Sequence, residues 1–150
     1  MEDNTNCKYV LGQKITLHPT EGDYDLVVCE SPPGAKGPPP HSHNKFHEAF
    51  LIIEGEMQFY VDGTTTICKA GESVDVPQGT IHTFNNISDQ PCRWVNIHSP
   101  KGFSKFFDAF GIPFHENDSF SKSIHPDVIQ KVLATEEDFD IKYHLDLKVE

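Results

Sequence analysis

From residue 9 to residue 98 apolar positions come in short runs, mostly alternating with polar ones and broken at intervals by turn residues. Segments 9–17 and 24–29 carry β-branched and aromatic residues and read as strands. Segment 49–53 is an apolar run of strand length stopped by Glu54-Gly55. Segment 57–61 alternates and ends at Asp62-Gly63, a hairpin signal, with 64–68 as the return strand. Segments 73–76, 80–85 and 92–98 follow, separated by Ala70-Gly71 and Pro77-Gln78-Gly79. Short strands at this spacing predict an all-β barrel or sandwich rather than βαβ units.

Two stretches depart from this pattern. Residues 31–40, SPPGAKGPPP, sustain neither helix nor central strand, because proline removes a donor and fixes φ; they form a stiff approach to His41. After residue 100 the period changes. Phe103, Phe106, Phe107 and Phe110 fall at i, i+3, i+4 and i+7, predicting a helix over 102–110 that docks on the barrel through this stripe. A second short helix starts at Pro126, using Val128, Ile129, Val132 and Leu133. Finally Phe139, Ile141, Tyr143, Leu145, Leu147 and Val149 alternate with polar residues, which predicts a terminal strand pairing with its own sheet or with a neighbouring subunit.

Length and composition fit one globular domain over residues 1–150, a core barrel of roughly 9–100 and an extension of 101–150. The net charge of −11 opposes phosphate backbones and anionic lipid heads, so neither nucleic acid nor a membrane is an expected partner. Arg93 is the one arginine in the chain, which leaves it poorly equipped for bidentate capture of a strongly anionic substrate. Cys7, Cys29, Cys68 and Cys92 show no C-x-x-C spacing and read as unpaired thiols on buried strands. With no apolar leader or bilayer-length stretch, the expected location is cytoplasmic.

The candidate chemistry lies in two segments. In HSHNKFHEAFLIIEG, residues 41–55, His41 and His43 at i and i+2 share one side of an extended chain. Glu48 joins them only if a turn intervenes, and Asn44-Lys45 suits one. His47 is the rival, although a preceding strand residue faces the other way. In GESVDVPQGTIHTFNN, residues 71–86, His82 places a third imidazole on another strand. Three imidazoles and a carboxylate suit a borderline divalent metal such as iron, nickel, manganese, cobalt, copper or zinc.

These segments resemble the two signature motifs of the cupin superfamily, G-x5-H-x-H-x(3,4)-E-x6-G and G-x5-P-x-G-x2-H-x3-N. The second is met at every position, and the first departs only in Ala35 for its leading glycine. The resemblance, covering roughly residues 24–98, implies a cupin double-stranded β-helix or jelly-roll barrel with one or two short C-terminal helices. It implies metal ligands His41, His43, Glu48 and His82, with Gly55, Gly71, Pro77 and Gly79 as turn-makers.

Strand parity places Phe50, Ile52, Phe84, Trp94, Asn96 and His98 inward as candidate substrate contacts, with either Met57 and Phe59 or Gln58 and Tyr60 on another wall. His18, His115, His125 and His144 lie outside the motifs and read as surface residues. An apolar, aromatic pocket around a metal suits a neutral or weakly acidic organic molecule. The functional expectation is a metal-dependent dioxygenase similar to quercetin dioxygenase-like cupins, with Glu48 as the base. The alternative is a ligand-binding or sensor module, with a sugar isomerase or epimerase below both. A homodimer is expected, as small cupins commonly pair through their sheets.

Overall fold

The computed structural model describes residues 6–149. Twelve strands run β1 (Cys7–Val10), β2 (Gln13–His18), β3 (Asp25–Ser31), β4 (His41–Ser42), β5 (His47–Glu54), β6 (Glu56–Val61), β7 (Thr64–Lys69), β8 (Ser73–Val76), β9 (His82–Asn85), β10 (Cys92–Ser99), β11 (Ile112–Pro113) and β12 (Lys142–Tyr143). Helices α1 (Ser104–Phe110), α2 (Ser119–Ser123) and α3 (Pro126–Ala134) lie between the last strands. One sheet has the order β11-β1-β2-β3-β10-β5-β8 and the other β12-β4-β9-β6-β7.

Alternation builds the core between the sheets. On β10, Cys92, Trp94, Asn96 and His98 are buried while Arg93, Val95 and Ile97 are only partly covered. On β5 the buried set is Glu48, Phe50 and Ile52, and on β6 it is Met57 and Phe59, not Gln58 and Tyr60. Phe50 meets Phe59 at 4.9 Å between ring centroids, and Phe84 meets Trp94 at 5.4 Å. Edge-to-face contacts of this kind add to the stability that aromatic burial supplies. All four cysteines are free and buried, each on a strand.

Gly55 is required at the β5–β6 turn. Its φ is +78°, and a Cβ there would stand 2.5 Å from the Pro91 carbonyl oxygen.

Three expectations are corrected. Segment 9–17 is a hairpin rather than one strand: Leu11 and Gly12 both take positive φ, 49° and 81°, and β1 folds back on β2 with Val10 opposite Gln13. Helix α2 joins the two expected helices; five residues are too few to show a helical period.

The third correction is the terminal strand. A 3-10 turn, Glu137–Phe139, ends at Asp140 in the left-handed region with φ 54° and ψ 47°. Only Lys142 and Tyr143 then pair, with Ser42 and His41 of β4. The Glu136 carbonyl accepts from Ile141 N–H and the Glu136 carboxylate from Tyr143 N–H, bending the chain out of extended form. Of the six alternating apolar residues Ile141 is buried, Phe139 and Tyr143 are partly buried against the core, and Leu145 is 63% exposed.

Candidate metal centre

Each imidazole arrives with its ring nitrogens already sorted. His41 Nδ1 lies 3.0 Å from the Pro39 carbonyl oxygen, and His82 Nδ1 lies 2.9 Å from that of Thr80. His43 Nδ1 lies 2.9 Å from the carbonyl oxygen of Asp140. A carbonyl only accepts, so Nδ1 donates its hydrogen in all three rings and Nε2 is the atom each ring has left to offer a metal. Pairing of His41 with His82 across β4 and β9 brings two rings within 4.3 Å.

Glu48 comes to the same point because Asn44-Lys45 turns the chain between β4 and β5, as the odd spacing requires. Its Oε2 lies 2.8 Å from His82 Nε2 and 3.5 Å from His43 Nε2. Asn96 Nδ2 donates to Oε1 at 3.1 Å. His98 Nε2 stands 3.2 Å from Oε1, off the line of a well-formed hydrogen bond. His47 points outward and meets Asp75 at 2.6 Å, so the rival reading is removed.

His41, His43, Glu48 and His82 are all buried and offer four ligand atoms within 4.8 Å of one another. Bonds of about 2.0–2.2 Å to a common ion put donors roughly 3–4 Å apart, so little closure is needed. The His43 Nε2 atom is buried with no hydrogen-bond partner among the described residues, as a lone pair aimed at a cation would be. The donor set fits a divalent transition metal.

The electrostatics agree. Burial, reinforced by the neighbouring imidazoles of His82 and His43, holds His41 well below the ordinary histidine value, in the neutral state a metal needs. Burial also pulls His82 down, but Glu48 offsets it and leaves the His82 proton held above the usual range. Burial opposes the Glu48 charge as well, yet His98 and His82 keep its carboxyl well below the usual range. In the metal-free protein a proton on His82 therefore pairs with Glu48.

A cavity of about 100 Å³ adjoins this pole. Phe84, Trp94, Asn96 and His98 line it, as parity suggested. Phe50 and Ile52 do not, although both are only 1% exposed; they pack in the core beside it. Sequence reasoning missed the far wall. Phe103, the residue before α1, and Phe106 and Phe107 of α1 both dock the helix and line the cavity, with Phe103 stacked on His98 at 4.0 Å. Ile141 and Tyr143 add to it from the C-terminal segment, and Val10, Leu11 and Ile15 line the cavity from the N-terminal hairpin. His144, expected at the surface, is half-buried with Nε2 3.0 Å from Ser42 Oγ, whereas His18, His115 and His125 are exposed. Asn86 of the second motif is structural: it donates to the Pro32 and Gln90 carbonyls and accepts from Ser88.

Among the described residues, no helix is long and apolar enough to cross a membrane.

Comparison with known proteins agrees with this geometry. A quercetin 2,3-dioxygenase of Bacillus subtilis is 28% identical over 95 residues, covering 63% of this chain and 28% of that protein. A Streptomyces cyaneus protein named polyketide synthase CurC is 28% identical over 86 residues, 57% of this chain and 54% of its own length. The chain thus spans well under two thirds of both curated relatives. The structure of KdgF from Halomonas sp. superimposes with a TM-score of 0.62 at 17% identity, over 70% of this chain and 94% of that one, a likeness of fold. Residues 27–98 match the family model described as Cupin domain, and this part of the chain is a cupin domain.

Proposed function

We propose that this protein is a mononuclear metal-dependent oxidoreductase, dioxygenase-like, acting on a small neutral or phenolic molecule that presents an oxygen to the metal. The observation that carries this reading is the junction of four buried metal-ligating side chains with an apolar cavity that no lysine or arginine lines. A cavity without a cationic side chain disfavours phosphorylated sugars and dicarboxylates, which need compensating charge when desolvated.

Size narrows the class. The cavity is well below the roughly 300 Å³ at which pockets for drug-sized ligands begin, and nearer the ~150 Å³ that accepts a single benzene ring. One ring or less fits.

A metal held by His41, His43, Glu48 and His82 would supply Lewis-acid and one-electron chemistry. The chain's residues do the rest. The aromatic walls exclude water, and Asn96 fixes the Glu48 carboxylate through Oε1. Glu48 takes the substrate's hydroxyl proton.

The test is oxygen uptake by metal-reconstituted protein with catechol and other one-ring enols and phenols. Turnover with at least one first-row metal is expected; none with any of them would contradict the reading. Thermal stabilisation by these compounds without product would instead mark a binding module.

A further inference from the structure

His41 and His82 are oriented by carbonyls two positions earlier in the chain, whereas His43 is oriented by one 97 positions later. That carbonyl belongs to Asp140, and the same residue makes two more bonds to the segment carrying His43. Its Oδ1 accepts from Asn44 N–H at 3.2 Å and its Oδ2 from Lys45 N–H at 2.7 Å. From the other side, Gly79 N–H donates to the His43 carbonyl and Gln78 Nε2 to that of Lys45. The turn that brings Glu48 back beside His43 is therefore clamped on its donors by Asp140 and on its acceptors by the β8–β9 loop.

The backbone of Asp140 makes the clamp possible. With φ 54° and ψ 47° it is left-handed, a region that Asp tolerates better than most residues. The reversal lets the carbonyl reach the imidazole while the carboxylate reaches the two amides. We infer that Asp140 is a positioning residue for the metal centre: it fixes the Nδ1–H tautomer and ring plane of His43 and the His43-to-Glu48 spacing. It touches neither metal nor substrate. The inference rests on the metal-site reading and is independent of the oxygenase chemistry.

Partners of this kind typically control metal affinity by 10–100-fold. Each variant removes a different part of the clamp. Asp140→Asn keeps one acceptor oxygen for the two amides and tolerates positive φ. Asp140→Gly keeps the backbone reversal but loses both carboxylate bonds. Asp140→Ala loses both and strains the left-handed backbone as well.

Cobalt(II) titration followed by its visible bands reads affinity and geometry together. The expected order of dissociation constants is wild type, then Asn, then Gly, then Ala, with Ala weakened roughly 10–100-fold and its band pattern altered. Glu136→Ala is the control, because it releases the same segment at Tyr143 N–H without touching His43. It should leave the cobalt bands in place. Long-range 1H–15N spectra of the metal-free proteins supply the second readout: His43 should be a single Nδ1–H tautomer in wild type and mixed in Asp140→Ala.

Equal cobalt affinity and an unchanged His43 tautomer in Asp140→Ala would overturn the inference, as would equal loss in Glu136→Ala. Should wild type bind no cobalt, the metal reading fails, and the tautomer spectra still decide whether Asp140 sets His43. If Asp140→Ala does not fold, Asp140→Asn and Asp140→Gly carry the same comparison.

Discussion

The domain of residues 27–98 and the chain after it build opposite sides of one cavity by different means. The first supplies all of the metal-ligating groups and the polar lining residues His41, His43, Glu48, Asn96 and His98, with Phe84 and Trp94 beside them, from paired strands whose register fixes them. The second supplies apolar cover from Phe103, Phe106, Phe107, Ile141 and Tyr143, placed by helix docking and the clamp at Asp140. Strand register sets donor positions tightly, because a slip of one residue would turn every side chain to the other face. Aromatic packing is less directional, so it suits a wall that sets size and dryness. Chemistry and selectivity should thus be separable by mutation.

The largest expected effect is on the strand side. Glu48→Gln removes the only carboxylate among the four ligands and should weaken divalent-metal binding by more than about 100-fold, measured by equilibrium dialysis. The folded apo barrel should survive, since the aromatic core is untouched. On the helix side, Phe103→Ala empties a site 7% exposed and should cost about 3–5 kcal/mol in denaturant unfolding. It should also admit compounds larger than one ring while leaving the four metal ligands in place. If Phe103→Ala abolished metal binding in a folded protein, the division between the two sides would fail.

Protonation gives a third way to probe the difference. His82 is held above its ordinary value by Glu48, after burial has acted against it, so its stabilising contribution to the metal-free protein is full below the unfolded histidine value. That contribution disappears as pH rises through the folded value. His41, held low by burial, acts oppositely: its contribution is present above the unfolded value and lost as pH falls through the folded one. Metal must displace the His82 proton. Cobalt affinity should therefore climb about tenfold per pH unit below the raised His82 value and flatten above it, with proton release measurable by calorimetry in two buffers. A pH-independent affinity below that point would contradict the pairing of His82 with Glu48.

The smallest effect belongs to the tail. Leu145→Ala, at a side chain 63% exposed, should change unfolding free energy by no more than about 0.5 kcal/mol. A much larger loss would mean that the alternating tail is covered in solution.

These contrasts track what could be read from the sequence. Spacing on a strand put His41 and His43 on one side, but Glu48 depended on a turn at Asn44-Lys45, and it was the resemblance to the two cupin motifs that joined Glu48 and His82 to them. The hairpin between β1 and β2 was not legible, because Leu11 carries no signal for positive φ. The phenylalanine stripe of α1 announced a buried face, but periodicity cannot say whether that face meets packed core or the edge of a cavity. The tail alternated perfectly and still formed only two residues of strand, since alternation supplies a face without ensuring a sheet to receive it. Asp140 was invisible for a further reason: its role rests on a backbone carbonyl and a left-handed φ, neither of which leaves a pattern.

Elemental analysis of the purified protein after dialysis, joined to X-ray absorption at the edge of whichever metal is found, tests the central claim most directly. The account predicts one transition-metal ion per chain, three imidazole nitrogens and a carboxylate oxygen at about 2.0–2.2 Å, and loss of that shell in Glu48→Gln. A wild-type protein that retains no transition metal after reconstitution, or one whose bound metal lacks imidazole scattering, would contradict it.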